Sequence, residues 1–218
     1  MKRSALVAGA SGLVGRQVVA RLLRDPAYAQ VCVLTRRPLD IKDPRLKTLI
    51  SDFSDLGALG TALAADDIYC CLGTTLRRAG SKAAFADVDE RMVVDLARAT
   101  AAAGAQQFLV VSAIGANEHA LAFYSRVKGR MEKTVSALDF AAVHIFQPSL
   151  LLGERSEHRA GEAVAQKLAP LLSRITRGPL RRYQPVAADS VAEAMLRLAL
   201  RGESGVHVHH LPLDDNEA

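Results

Sequence analysis

Short apolar runs alternate with longer amphipathic stretches from the start of the chain to about residue 146. Ser4–Ala8 is a compact apolar run. Gly12–Arg24 follows with Leu13, Val14, Val18, Val19, Leu22 and Leu23 at helical spacing until Asp25-Pro26 stops it. Val31–Thr35 reads as a second strand, closed by Arg36, Arg37 and Pro38, and Leu46–Ile50 as a third. The alternation continues with a helix over Leu56–Ala64, a strand over Ile68–Leu72 and a long helix over Phe85–Ala103. A strand over Phe108–Ser112, a helix over Phe123–Leu138 and a strand over Ala142–Phe146 complete it. Strands separated by helices call for a parallel sheet covered on both faces, so the pattern predicts an α/β, doubly wound parallel sheet.

After Pro148 the rhythm loosens. Arg155–Glu162 reads as a polar loop, either a solvated connection or a lid meeting an anionic substrate or the cofactor. Ala163–Thr176 is an interrupted amphipathic helix containing Pro170, whose Val164, Leu168, Leu171, Leu172 and Ile175 would wall a substrate cleft or pack on a partner. Ser190–Leu200 predicts another helix and Val206–His210 a last strand. The expectation is one domain over residues 1–218, with 149–218 supplying a small C-terminal substrate-binding region.

Composition narrows the classes. With 218 residues, half of them hydrophobic, one core of ordinary size suffices, and neither disulfides nor a structural metal are needed to hold it. The net charge of +5 comes from scattered basic residues, aromatic residues make up 5% and Trp is absent, so nucleic acid is not expected as a partner. No apolar stretch approaches the roughly 18 residues of a membrane span. Lys2 and Arg3 before an apolar run imitate a signal peptide, yet the amphipathic pattern runs on without a break, which reads as mature structure. Cys32, Cys70 and Cys71 sit in apolar runs as buried thiols, and the expected location is cytoplasmic. Adjacent Cys70 and Cys71 would face opposite sides of a strand, against a shared disulfide. His207 and His209 share one face of the last strand, but no further ligands stand near them in sequence, so no metal is expected.

Candidate chemistry begins at Gly9-Ala10-Ser11-Gly12-Leu13-Val14-Gly15, a GxxGxxG segment between the first strand and first helix. Glycines there let the backbone turn sharply and approach a pyrophosphate, while the N–H groups of the helix start face the anion and Ser11 can add a hydroxyl. Tight turns also use glycine for steric reasons alone; the βαβ setting favours the dinucleotide. Where an acidic residue would hold the ribose 2′-OH of NAD, this chain has Arg36-Arg37, which suit a 2′-phosphate and favour NADP(H). Asp52 and Phe53 follow the third strand, near the expected adenine, and Leu72, Gly73 and Thr74 follow the fourth, near its ribose and the pyrophosphate.

Tyr124 and Lys128 stand four apart on a predicted helix, so phenol and ammonium can share a cleft, and the cation would lower the tyrosine pKa toward working pH. Tyr124 would then exchange a proton with a carbonyl compound while hydride passes to or from the cofactor, and Ser112 would hydrogen-bond the carbonyl oxygen.

The stretches GASGLVGR, LTRRPL, DDIYCCLGTT, KAAFADVD, FLVVSAIGA, FYSRVKGRME, FQPSLLLGERSEHRAGE and RRYQPVAADSVAEAM cover nearly the whole chain. In them it resembles the atypical short-chain dehydrogenase/reductases, more narrowly the Tat-interacting-protein-like oxidoreductases. The resemblance implies an NADP(H)-binding Rossmann fold, with Ser112, Tyr124 and Lys128 at the catalytic triad positions and Pro148, Ser149 and Leu150 near the nicotinamide. Close relatives tend to carry a second serine where this chain has Ala113, which would move the working hydroxyl if that one were used. The implied partner is a small-molecule carbonyl substrate. A monomer or a homodimer fits equally, and a protein partner enters if the chain is instead a regulatory NADPH sensor.

Overall fold

The computed structural model describes residues 2–152 and 182–213. Seven strands form one sheet in which every neighbouring pair is parallel: β1 (Arg3–Ala8), β2 (Tyr28–Thr35), β3 (Leu46–Ile50), β4 (Asp67–Cys70), β5 (Gln107–Val111), β6 (Ala142–Pro148) and β9 (Gly205–Leu211). Their order is β3-β2-β1-β4-β5-β6-β9, so the direction of winding reverses between β1 and β4. Two further short strands, β7 (Leu151–Leu152) and β8 (Val186–Ala187), pair in parallel just beyond β6.

Both sheet faces are covered, which is why the strands read as unbroken apolar runs. Leu109 and Val111 of β5 face one core with α1 (Leu13–Leu22) and α6 (Ala188–Arg201), while Phe108 and Val110 face the other. That second core is closed by α4 (Met92–Ala102), through Val93, Leu96 and Ala97, and by α5 (Phe123–Ser136), through Met131 and Val135. Across the first layer, Arg21 of α1 grips Asp189 of α6 with two hydrogen bonds of 2.9 and 2.7 Å.

The expected helix over Leu56–Ala64 is a 3-10 segment, Gly57–Leu63, broken at Gly60 with φ of 47°. Only Leu56 and Leu63 at its ends are buried well, and two glycines in seven residues leave little to hold an α-helix. The expected long helix Phe85–Ala103 is built in pieces, the end of α3 (Lys82–Ala86), a π turn over Asp87–Arg91 and then α4, with a short α2 (Leu76–Ala79) ahead of them. β4 ends at Cys70, earlier than its apolar run. Cys70 belongs to the α4–α5 core and Cys71 packs toward the α1–α6 core, on opposite faces as expected. The three cysteines are free, and burial pushes the Cys70 thiol up to about 12, so it is no nucleophile. The predicted loop Arg155–Glu162 and helix Ala163–Thr176 lie outside the described residues.

Candidate functional site

The carboxyl ends of β1 and β4 flank the point where strand order reverses, the position at which open α/β sheets bind ligands. Gly9 leaves β1 with φ of +81°, and a Cβ on it would lie 2.4 Å from the Cys71 carbonyl oxygen. A Cβ on Gly15 would lie 2.2 Å from the Gly9 carbonyl oxygen, so α1 packs directly onto the turn. Gly12 caps α1 from extended backbone and its N–H donates to the Gly9 carbonyl at 2.9 Å. No side chain caps α1 and no acid stands in its first turn, so the N–H groups of Leu13, Val14 and Gly15 are open to an anion, with Ser11 exposed beside them. A turn that a Cβ would fill, at an uncapped helix start, fits a dinucleotide pyrophosphate.

Arg36 and Arg37 are exposed at the end of β2, in a turn where the Thr35 hydroxyl donates to the Arg37 carbonyl at 2.9 Å. Neither makes an ion pair among the described residues. Asp52 is exposed and held in its own turn, where Oδ1 accepts from the Ser54 N–H at 2.9 Å and the Ser54 hydroxyl at 2.6 Å. These bonds hold its carboxyl below the usual range. The Phe53 ring does not face outward beside it: with φ of 68° the residue turns its ring into the α4–α5 core, 4% exposed. Beyond β6, Pro148 is buried, Leu150 is exposed and Ser149 donates its hydroxyl to the Gln184 carbonyl, tying the chain on either side of β7 and β8 together.

Tyr124 and Lys128 sit one turn apart on α5. Tyr124 is partly exposed and packs its ring against Phe85 at 5.3 Å. Lys128 is buried: its ammonium pairs with Asp89 of the π turn at 2.8 Å and donates to the Val111 carbonyl at 3.4 Å. The other Asp89 oxygen accepts from the Thr74 N–H at 2.8 Å, in the turn after β4. A Cβ on Gly73 would stand 3.3 Å from Asp89 Oδ1 and 3.9 Å from Lys128 Nζ. The lysine lowers the tyrosine as its spacing suggested, but other effects outweigh it. Partial burial raises the Tyr124 phenol above its ordinary value, Lys128 lowers it less, and the Asp89 charge adds to the rise.

Ser112 lies just past β5, and its N–H continues the ladder to the Phe146 carbonyl at 2.7 Å. Its hydroxyl is buried without a hydrogen bond of good geometry, in loose contact with the Glu132 carboxyl on α5. Glu132 accepts from the Gln147 amide at 3.0 Å, and burial raises its carboxyl despite Ser112 and Gln147 lowering it. Asp89 and Glu132 were not among the sequence candidates. The signal for Asp89 was a carboxylate on the apolar spacing Phe85, Asp89, Val93, Ala97; for Glu132 it was the continuation of Tyr124 and Lys128 by another four residues. A cleft of about 490 Å³ opens beside Leu13 and Arg16 of α1, lined also by Leu152 and Asp189, and a second of about 650 Å³ lies between α1 and α6.

A winding reversal with a glycine turn opening α1 at that reversal defines a dinucleotide-binding protein of the Rossmann class. Residues 9–199 match the family described as NAD(P)H-binding, and the chain belongs to that family, whose relatives are oxidoreductase-like. It is 33% identical over 199 residues to protein FMP52, mitochondrial, of Eremothecium gossypii, covering 90% of this chain and 88% of that one. It is 32% identical over 169 residues to protein HTATIP2 of Rattus norvegicus, covering 76% and 69%. Among solved structures, MoeE5 in complex with UDP-glucuronic acid and NAD superposes with a TM-score of 0.68 at 18% identity, over 94% of this chain and 75% of that one. UDP-glucose 4-epimerase of Thermotoga maritima gives 0.70 at 15%, over 94% and 75%. These two likenesses concern the fold alone.

The mitochondrial names of the relatives from Eremothecium gossypii, Aspergillus fumigatus and Candida albicans overturn the expectation of a cytoplasmic protein. Buried thiols and a first strand built into the sheet do not separate one reducing compartment from another. Among the described residues, no helix is long and apolar enough to cross a membrane and no cluster of His, Cys, Asp and Glu could hold a metal ion.

Proposed function

We propose that this protein is an NADP(H)-dependent oxidoreductase that reduces a small carbonyl compound to an alcohol. The observation that carries the reading is the Tyr124–Lys128 pair, one turn apart on α5, with Lys128 beside the Gly73-Thr74 turn that leaves the carboxyl end of β4. The bound cofactor would supply hydride to the carbonyl carbon. Tyr124, still protonated, would give its proton to the carbonyl oxygen, and Ser112 would hydrogen-bond that oxygen and fix its position. Lys128 would steady the charge left on Tyr124 and face the nicotinamide ribose. Gly9, Ser11, Gly12, Leu13, Val14 and Gly15 would cradle the pyrophosphate. Leu72, Gly73 and Thr74 would line the sugar side, and Pro148, Ser149 and Leu150 the nicotinamide end.

NADP(H) is favoured over NAD(H) because Arg36 and Arg37 stand exposed where a carboxylate would hold the 2′-OH. Asp52 is the adenine-side candidate, with only the backbone of Phe53 beside it. Residues 149–218 would contribute the substrate-side region of one domain.

The test is a titration of the purified protein with NADPH and NADH, followed by NADPH oxidation across aldehydes, ketones and quinones. Turnover on one class that Tyr124→Phe abolishes, with NADPH binding nearly intact, is the expected result. Full turnover in Tyr124→Phe sinks the assigned role, and tight NADPH binding with no turnover on any class points instead to a sensor. An Arg36→Ala, Arg37→Ala double variant that keeps the preference for NADPH removes the 2′-phosphate argument.

A further inference from the structure

We propose that Asp89 is a positioning residue of this site: its carboxylate ties the Lys128 ammonium to the Gly73-Thr74 turn, so that Tyr124 faces a neutralised cation and stays loaded with its proton. The inference rests on the proposed carbonyl reduction for its meaning, though not for its test.

Local geometry singles out Asp89. Three acids fall within Asp87–Arg91, the π turn that interrupts an otherwise helical stretch, and such turns re-aim side chains and recur at functional sites. Asp87 pairs with Arg91 along the surface, and Glu90 pairs outward with Arg130 of α5 at 2.8 Å. Asp89 alone of the three is buried, at 1% exposure, with both oxygens engaged. One holds the ammonium and the other holds a backbone N–H of the turn that leaves β4. The ion pair therefore bridges the helix bearing Tyr124 and the loop at the proposed cofactor edge.

The charges around Lys128 come from every side. Asp89 approaches from the π turn, Tyr124 and Glu132 lie one turn away on either side of it along α5, and the Cys70 thiol on β4 is neutral at working pH. Burial of Lys128 works against its charge and Asp89 restores it, leaving the ammonium raised and firmly protonated. An isolated lysine cation would pull Tyr124 toward the tyrosinate. With Asp89 beside it the pair presents little net charge, and Tyr124 keeps the proton that reduction of a carbonyl consumes. Asp89 thereby holds the site in the protonation state from which reduction starts.

The experiment is carbon-13 NMR of the full chain labelled at the tyrosine ring, with the Tyr124 signal assigned by Tyr124→Phe. Asp89→Asn keeps an acceptor for the Thr74 N–H and removes the charge. Its Tyr124 ionisation should move to lower pH by about one unit or more, with Lys128, followed by a carbon-13 label of its own, still charged at that midpoint. Loss of the Lys128 charge with Tyr124 unmoved counts against the proposal. Asp89→Glu, which restores the charge, should return it toward the original value. An unmoved or raised midpoint in Asp89→Asn overturns the proposal. Should Asp89→Asn fail to fold, the smaller Asp89→Ser, with room for a water beside Lys128, carries the same expectation. Where turnover is measurable, the fall in reduction rate at high pH should shift down by the same amount. The titration needs no turnover: a protein that binds NADPH but reduces nothing refutes the proposed function and leaves this inference standing, whereas an immobile Tyr124 refutes this inference alone.

Discussion

Three histidines stack across the sheet edge formed by β6 and β9, and they predict a fold that loosens in mild acid. His144 is fully buried, His209 is 4% exposed, and their Nδ1 and Nε2 atoms lie 3.1 Å apart. One hydrogen shared between two neutral rings satisfies that contact, and two charged rings cannot make it. His207 stacks on both, with ring centroids 5.1 and 6.2 Å away. Burial first, then the neighbouring imidazoles, lower His144 to about 4; burial, His207 and Arg201 lower His209 to about 4. In the unfolded chain both titrate near 6.5. The folded value is depressed, so the unfolded chain binds protons first as the pH falls. Stability is full above about 6.5 and is lost progressively between about 6.5 and 4. At about pH 5 the pH lies about 1.5 units below the pKa of the unfolded histidine, whereas the folded one is still mostly neutral. The loss is about 2 kcal/mol for one ring and at most about 4 for both, because the pair titrates as a unit. Urea unfolding at about pH 7.5 and about pH 5, on the wild type and on His144→Asn, His209→Gln, measures it. Those replacements can keep the hydrogen bond without the titration. The wild type should lose about 2 to 4 kcal/mol more than the double variant over that interval; equal losses refute the reasoning.

Removing Arg3, whose Nε donates to Asp67 at 2.6 Å, strands a carboxylate with no exposure, held otherwise by the Tyr28 hydroxyl at 2.8 Å. Arg3→Met should cost about 3 kcal/mol by urea unfolding, and a cost under about 1 would show the pair to be dispensable. Gly15→Ala places a Cβ 2.2 Å from the Gly9 carbonyl oxygen and should lift α1 off the turn. Fluorescence titration should then find NADPH bound about tenfold more weakly or worse, and unchanged affinity would dissociate the turn from the cofactor. Gly129→Ala places a Cβ 2.2 Å from the Asn117 carbonyl carbon and the Glu118 nitrogen, backbone atoms that cannot swing aside. It should cost about 1 to 3 kcal/mol in unfolding experiments, and a variant as stable as the parent would mean that the loop before α5 yields freely.

The sheet was legible in the sequence because its strands are covered on both faces and therefore show as uninterrupted apolar runs, with β3 matching its expected bounds, Leu46–Ile50. The turn at Gly9 was legible for a related reason: backbone approaches so close that no Cβ fits leave glycine at fixed spacing. Leu56–Ala64 misled because alanine, leucine and threonine at suggestive intervals look helical until Gly57 and Gly60 are given their weight. Phe53 misled differently. Its place after a strand suggested a ligand contact, but a positive φ inverts the side chain into the core, and nothing in the residue type announces that. Residue spacing likewise brought Tyr124 and Lys128 together without revealing the acid that answers the lysine. Asp89 is 39 residues from Lys128 in the chain, and only the π turn brings its carboxylate inward.

The same ion pair bears on how the two layers of the molecule cooperate. α1 and its glycine turn belong to one core, α4 and α5 to the other, and the sheet separates them. The turn after β4 touches both sides: Cys71 and Leu72 press on Gly9, and Thr74 hands its N–H to Asp89. A displacement of that turn toward an anion at the start of α1 would therefore pull directly on the partner of Lys128. The approach of the Cys71 carbonyl leaves no room for a side chain at Gly9 on one side, and both Asp89 oxygens are engaged on the other. If the Asp89 contact carries such a pull, substitutions at Gly9 should shift the Tyr124 titration even though Gly9 and Tyr124 belong to different layers, and an unchanged Tyr124 midpoint in Gly9→Ala would show that the turn does not transmit it.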